Sequence, residues 1–417
     1  MATDDGRRTC CVVGGGPGGL VLAHLLARAG VEVTLLESQP DFDRDFRGDS
    51  LHPATLELMD QLGLADRLLE LDHFRATTFK LHTPSGTLTT ADYGRIGGRF
   101  PYVALMPQAR FLDFLAGETA AYPAFRLRTN AKVTGLIEED GRVAGVRYRA
   151  PDGEHHLRTG LVIAADGRFS RMRRLADLPV TSLGGGGDIL WFRLPRRADD
   201  PPEADVDIYF GAGHYVGLLG GPDSWQVGYT IAKGGFQDAR RAGVEPIREF
   251  LRRNVGWLAD RAGLLTGFDQ ITLLSVDVAR AKRWHRPGLL MIGDAAHVIS
   301  PVGGNGILMA IQDAVVAANV LIPPLRDTGS VGEDALAEVQ RLREPAIEKV
   351  QAQQVRIERR TAKALATGKP YKPALVFRLL TSLPAFRVVA ARANAYGPDR
   401  PTLDPAVLGP AAVGSQS

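Results

Sequence analysis

Only two cysteines occur in 417 residues, and they are neighbours, Cys10 and Cys11. Adjacent side chains on a strand point to opposite faces, so no bridge joins them, and no further thiolate is at hand for a metal site. They read as core residues of a cytoplasmic protein. Net charge is nearly absent: 50 Lys and Arg against 47 Asp and Glu leave +3. That surplus is too small over this length to imply nucleic acid, and no lysine run or aromatic-basic interleaving accompanies it. The chain lacks an obvious run of about twenty apolar residues, which predicts no membrane span. Its polar start reads as no signal peptide. No repeat, carboxylate pair, Ser-His-Asp ordering or metal-ligand cluster is visible. Glycine is plentiful at 47 residues, and 45% hydrophobic with 23% charged residues suits a globular chain with room for two cores.

The glycines gather first between the apolar run Cys11-Val12-Val13 and a helical pattern closing at Gly30. Gly14, Gly16 and Gly19 fit G-x-G-x-x-G, with Pro17 and Gly18 inside it. The first glycine permits a tight turn, the second lets the backbone approach a pyrophosphate, and the third lets helix pack on strand. Phosphates then sit at the helix N-terminus, where free N–H groups await an anion. Leu22, Leu25, Leu26 and Ala29 supply the buried stripe, with Gly30 as a left-handed cap. Glu37 ends the following strand, placed to accept hydrogen bonds from ribose hydroxyls. The glycine pattern alone is weak. Strand, helix, strand and terminal carboxylate together point to a bound adenine dinucleotide, and a plain structural turn leaves Glu37 unexplained.

Further on, Arg47 precedes a helix opened by Pro53, and reads either as a cation facing a cofactor or as a surface salt bridge; His52 reads as a helix-entry residue. Residues 77–103 form short strands of a second sheet, and a helix spans about 107–121. Strands at 133–137 and 143–148 make a hairpin with Asp140-Gly141 at its tip. The apolar run 161–165 is a buried parallel strand ending in Asp166-Gly167. From 183 to 274 the pattern is antiparallel, with strands at 189–194, 205–210, 215–219 and 225–231 and a helix-like segment at 246–260. Aromatic residues concentrate there, Trp191, Tyr209, Tyr215, Trp225 and Trp257 among them. They fit either core or the lining of a pocket for a flat apolar molecule, and the sequence leaves both open. A strand at 289–292 ends in Gly293-Asp294-Ala295-Ala296-His297, and Pro301-Val302-Gly303-Gly304-Asn305-Gly306 opens another helix, a second dipole site. One or two amphipathic helices fill 334–363, Pro384 breaks a helical hairpin, and the tail from Gly409 is expected to be disordered.

The glycine turn, the Asp166-Gly167 strand end with Ser170 and Arg173, and the Gly293-Asp294 strand end with its glycine loop occur in one order. Over residues 9–350 this set resembles the single-component flavoprotein aromatic hydroxylases, the para-hydroxybenzoate hydroxylase-like group. The resemblance implies an α/β chain. A discontinuous Rossmann-like FAD-binding domain with a parallel sheet (1–76, 104–182, 275–350) interleaves with a smaller antiparallel substrate domain (77–103, 183–274). A C-terminal helical region and tail follow at 351–417. It implies that Gly14, Gly16, Pro17, Gly18, Gly19 and Glu37 hold the ADP half of FAD. Gly293 and Asp294 then meet the ribityl and pyrophosphate region, Gly303, Gly304 and Gly306 bring backbone N–H groups to the flavin, and Pro301 lines its reacting edge. Arg47, Gln108 and Asp166 match cofactor-touching positions, and Leu308 stands where the family usually has Asn.

The implied reaction runs on the cofactor. NADH or NADPH reduces the flavin, O2 gives a flavin hydroperoxide, and hydroxyl passes to an aromatic or polycyclic small molecule. Trp191, Tyr209 and Tyr215 are the candidates to line the substrate. His214 and Tyr215 either help deprotonate a phenol or are ordinary sheet residues. A monomer or homodimer is expected. Competing readings on the same fold are an isoprenoid reductase, a Baeyer-Villiger-type oxygenase and a halogenase, whose Trp-x-Trp-x-Ile-Pro signature Trp191-Phe192-Arg193-Leu194-Pro195 does not match. A non-catalytic flavin-binding regulator is another, and a simple NAD-dependent dehydrogenase leaves Gly293-Asp294 unexplained.

Overall fold

Strand β1 (Arg8–Val13) leads through the glycine turn into α1 (Pro17–Arg28) and back as β2 (Val33–Leu36). Cys10 and Cys11 are fully buried in two different apolar clusters, one on each side of this sheet, as strand alternation requires. The structure, a computed structural model, describes residues 8–43, 49–301 and 303–408. Arg47 and the tail from Gly409 therefore lie outside the described residues.

Five parallel strands run side by side: Leu289–Met291, Gly153–Ala164, β1, β2 and Phe125–Arg128. The first half of Gly153–Ala164 instead pairs antiparallel with Arg142–Ala150, which pairs with Lys132–Glu139. Asp140 and Gly141 turn that hairpin with φ of 50° and 76°, the pair of positive angles a two-residue turn demands.

A second sheet of seven strands has the order Thr272–Ser275, Asp188–Pro195, Ser224–Ile231, Tyr215–Leu219, Val206–Phe210, Thr78–Thr83, Gly86–Asp92. Leu190, Phe192, Val216, Leu218, Trp225, Val227 and Tyr229 bury one of its faces against the segment 245–264. That segment is not one helix. The α-helix Glu245–Asn254 stops before Val255-Gly256, and a 3-10 stretch, Gly256–Leu264, follows. Val255 leaves helical geometry at φ −129°, and its side chain is fully buried in the same core.

Helix Gly306–Thr328 threads between the layers. It is long and apolar enough to cross a membrane by length and composition, which corrects the expectation that no such run exists; 72% of its most apolar window is buried inside the protein. Gln312 and Asp313 break up the run in the sequence, yet both are buried in polar contacts. A single helix, Glu333–Leu365, follows. Leu375–Ser382 and Pro384–Tyr396 are then split at Pro384, which occupies a first-turn position where its missing N–H costs nothing.

Candidate active site

The first glycine turn is closed to side chains at two points and open at a third. A Cβ on Gly14 would stand 2.4 Å from the Ala165 carbonyl oxygen, and one on Gly19 2.1 Å from that of Gly14. At Gly16 a Cβ would meet nothing within 4 Å, so the ground before α1 is clear. Among the described residues no side chain caps α1, and no acid lies in its first turn, which leaves its positive end for an external anion. Glu37 is buried at the rim, accepting from the backbone N–H of Gly15 and of Gln39, each at 2.9 Å.

Distant motifs meet on one residue of the Gly306–Thr328 helix. A Cβ on Gly18 would come 2.9 Å from the Ala310 carbonyl oxygen, and one on Gly293 3.1 Å from the Ala310 Cβ. Asp294 sits in the 3-10 turn Gly293–Ala295. Beneath it the buried Arg173 donates to the Ala295 carbonyl at 2.9 Å and feels the charges of Asp166 and Asp294, while burial lowers its pKa. The Asp166 carboxylate caps the short helix Arg171–Leu175, accepting from Ser170 Oγ at 2.5 Å, Arg171 N at 2.7 Å and Met172 N at 2.9 Å. Gly14 lies against its Cα, so Asp166 borders the turn through its backbone.

The loop 301–306 is held from two sides. His52, buried and lowered to about 4 by desolvation, lies with Nε2 3.3 Å from the Gly304 carbonyl, and Asn394 Nδ2 donates to the Gly303 carbonyl at 3.2 Å. Gly303 and Gly304 have φ of 88° and 68°, and a Cβ on Gly304 would press on Ser50 Oγ at 3.0 Å. The helix it opens again has no side-chain cap and no acid in its first turn. Asn305 Oδ1 is buried with no hydrogen-bond partner among the described residues, a polar atom waiting for a ligand. Leu308 is buried in the apolar core, so the amide nearest this helix start is Asn305. Two uncapped helix starts, a carboxylate fixed beside the first and an orphaned amide beside the second form a donor set that fits FAD.

The other face of the second sheet reaches this loop at two points. Gln226 Nε2 donates to the Asp49 carboxylate, next to Ser50 and so to Gly304. At the other end Tyr215 faces Glu358, whose carboxylate accepts from Ser300 Oγ. Asp49 also accepts from Gln108 N at 3.2 Å, and burial raises its pKa to about 7 against the pull of that bond and of Arg193. Phe42, Asp49, Pro107, Gln108 and Arg193 line a small pocket of about 70 Å³ at this edge. Across the face, Trp191, Gly228, Gly217 and Ile208 stand in register on four neighbouring strands.

Trp191 and Tyr215 thus come to the cleft, with burial and Glu358 pushing the Tyr215 phenol well above its ordinary pKa. Tyr209 does not. It lies in the opposite core, accepts from Trp257 Nε1 at 3.1 Å and stacks on His82 at 4.1 Å. His214 is turned the same way, its Nδ1 2.7 Å from the Thr230 carbonyl and its ring stacked on Tyr229. Sequence reasoning missed Asp49, Gln226, Asn305 and Asn394. Only the packing of the second sheet and the return of the C-terminal helix bring Asp49, Gln226 and Asn394 to the loop, and only burial sets Asn305 apart within it.

Residues 7–354 match the model of the FAD binding domain family. The 6-methylpretetramide 4-monooxygenase of Streptomyces rimosus is 37% identical over 399 residues, 94% of this chain and 93% of that protein. Rifampicin monooxygenase of Streptomyces venezuelae is 30% identical over 308 residues, 73% of this chain and 61% of its own length. In fold, p-nitrophenol 4-monooxygenase from Pseudomonas putida superposes with a TM-score of 0.73 at 22% identity, covering 98% of both chains. With the glycine turn, the Gly293-Asp294 turn and the 301–306 loop gathered around one helix, the chain belongs to the FAD binding domain family, as an FAD- and NAD(P)H-dependent monooxygenase of the aromatic hydroxylase type.

Proposed function

We propose that this enzyme uses NAD(P)H and O2 to hydroxylate a flat, polycyclic aromatic molecule lodged between the second sheet and the 301–306 loop. The observation that carries the reading is a pair of glycines in the sheet, Gly217 with open space above it and Gly228 roofed by Trp191 and Ile189. Gly217 and Gly228 are cross-strand neighbours in strand interiors, on the face turned to the loop. Glycine weakens a strand interior and marks a place where another body approaches the backbone. The Trp191 ring lies over Gly228, and Ile208 bounds the strip beyond Gly217. A planar ring system lies flat on such a floor, where a single small ring leaves much of it wet. The relative that spans nearly the whole chain is named for 6-methylpretetramide, which supports a substrate of this class.

FAD, when bound, accepts hydride from NAD(P)H and activates dioxygen. The chain's own residues bind and orient. Glu37 takes the ribose, the N-termini of α1 and of the Gly306–Thr328 helix take the pyrophosphate and the flavin's electron-rich end, and Asp294 takes the ribityl chain. Asn305 supplies a side-chain acceptor where the usual Asn is replaced by Leu308. Asp49, held by Gln226 and Gln108, sits where it can take a proton from a phenol. The 77–103 and 183–274 segments form the substrate-binding part and the rest of the first 350 residues the cofactor-binding part.

The test is a screen of naphthols, hydroxyanthracenes and hydroxyanthraquinones for stimulated NADPH and NADH consumption, coupled to product mass. A product heavier by one oxygen atom taken from labelled O2 is expected. A product that gains two hydrogens, formed equally well without oxygen, overturns the reading in favour of a reductase.

A further inference from the structure

The C-terminal helical hairpin presents a second, unrelated surface. Leu375, Val376, Leu379, Leu380 and Leu383 are 70, 67, 60, 39 and 53% exposed. Their spacing of i, i+1, i+4, i+5 and i+8 places them on one side of a helical turn sequence, and Val389 on the next helix is 64% exposed. A contiguous apolar face of this kind marks a contact with something other than water.

Its surroundings say what. Between Arg359 and Pro398 the sequence holds eight Lys and Arg and no Asp or Glu. Arg359, Arg360, Lys363, Lys369, Lys372, Arg378 and Arg392 are exposed, and none of them forms an ion pair among the described residues. The strap between the long helix and the hairpin is fixed in place: Tyr371 stacks on Phe210 at 4.2 Å and Pro370 bridges to Ala212. Exposed aliphatic side chains interspersed in sequence with cations that form no ion pair are the composition of a helix that lies in the plane of an anionic bilayer, its leucines in the acyl boundary and its lysines and arginines at the headgroups. A second copy of the chain fits poorly, because a two-fold contact sets these cations against their own equivalents. A protein partner fits poorly as well, since the stripe holds Leu and Val, which are under-represented among residues that anchor protein interfaces, and no Trp or Tyr.

We propose that the 369–389 hairpin docks the enzyme on an anionic membrane surface, without spanning it. The docked enzyme then sits with the rim of the substrate sheet, at Phe210 and Ala212, beside the lipid from which an apolar polycyclic molecule partitions.

The experiment is co-sedimentation of the FAD-loaded full chain with vesicles of phosphatidylcholine alone and of phosphatidylcholine mixed with phosphatidylglycerol. Binding to the mixed vesicles alone, weakened by added salt, is expected. Each of K369Q, K372Q and R378Q lowers it about fivefold, and L375S/L379S abolishes it, while flavin absorbance and basal NADPH oxidation stay unchanged. Three outcomes overturn the proposal: no sedimentation with the mixed vesicles, sedimentation indifferent to both sets of substitutions, or a stable dimer that L375S/L379S dissolves while the wild-type chain ignores vesicles. The unchanged flavin absorbance separates each of these from a failure of the monooxygenase reading.

Discussion

His297 Nε2 and the carboxylate of Asp313 meet at 2.6 Å beneath the Gly293-Asp294 turn, both buried. The same carboxylate accepts from Gly293 N at 2.9 Å and from Arg343 Nε at 2.9 Å. Asp313 therefore pins the turn that presents Asp294. Burial alone would raise its pKa, but His297 and Arg343 together hold it down to about 2. A depressed carboxylate contributes stability that is complete above its unfolded value and lost as pH falls through the folded one, here from about 4 toward about 2.

Asp313→Asn keeps the shape and removes the charge that offsets a buried guanidinium, which costs about 3–5 kcal/mol. Urea unfolding at neutral pH reads that loss. The wild-type acid transition between pH 4 and 2 becomes shallower in the variant, and purified protein retains less FAD. Equal urea midpoints for the two proteins would show that the pin contributes nothing.

The parallel sheet, the glycine turn and both strand ends were legible because local rules govern them. Gly14 and Gly19 are glycine for contacts within a few residues of the turn or with the neighbouring strand, and Glu37 follows at the spacing the unit fixes. The 225–231 strand was legible too, yet the function of its two faces was not. Period-two alternation tells that Trp225 and Gln226 face apart, but not that Gln226 meets Asp49, 177 residues away. Tyr209 and Tyr215 look alike in sequence. Only the pairing register puts one in the core and the other on the cleft. The end of the α-helix at Asn254 escaped notice because no proline marks it: Val255, an ordinary apolar residue, is where the helical angles stop.

Asp49 gives a pH prediction of opposite sign. Burial raises its pKa from 3.8 to about 7. As pH rises between those values the unfolded carboxyl ionises while the folded one stays protonated, so folded stability falls through that window and levels off above about 7. Asp49→Asn removes this slope. The variant is expected to gain stability over wild type at pH 8 and little at pH 4, up to a few kcal/mol at about 1.4 kcal/mol per pKa unit. Melting temperatures at the two pH values decide it. If Asp49 also takes the phenol proton, the ionisation near neutrality disappears from the kcat/KM profile of the variant.

Glu37 is the residue through which cofactor affinity is most directly addressed. Glu37→Gln preserves size and an acceptor for Gly15 N but loses the charge-assisted bond, worth about 1.5–3 kcal/mol. FAD is expected to bind about ten- to a hundredfold more weakly by titration of flavin fluorescence, and the FAD-free protein to lose about 1–3 kcal/mol, because one of the Gly15 and Gln39 N–H groups is left facing the amide nitrogen. An unchanged dissociation constant would remove Glu37 from the cofactor site.

Gly217 separates stability from substrate fit most cleanly. Its φ is not positive, its Cβ would meet nothing within 4 Å, and Val216 and Leu218 on either side point into the opposite core. Gly217→Val therefore places a strand-favouring side chain where the fold has space, and relief of the glycine entropy cost adds roughly 0.5–1 kcal/mol to stability. The same side chain stands on the floor of the cleft. KM for a hydroxyanthraquinone is expected to rise at least tenfold while KM for a simple phenol changes little, with FAD content intact. At Gly228 the result differs, because a Cβ there already presses on the Trp191 ring and on Ile189 at 3.1 Å. Gly228→Ala moves Trp191, so its fluorescence shifts and small and large substrates suffer together. A stable Gly217→Val enzyme that turns over large and small rings as the wild type does would place the substrate somewhere other than on this strip.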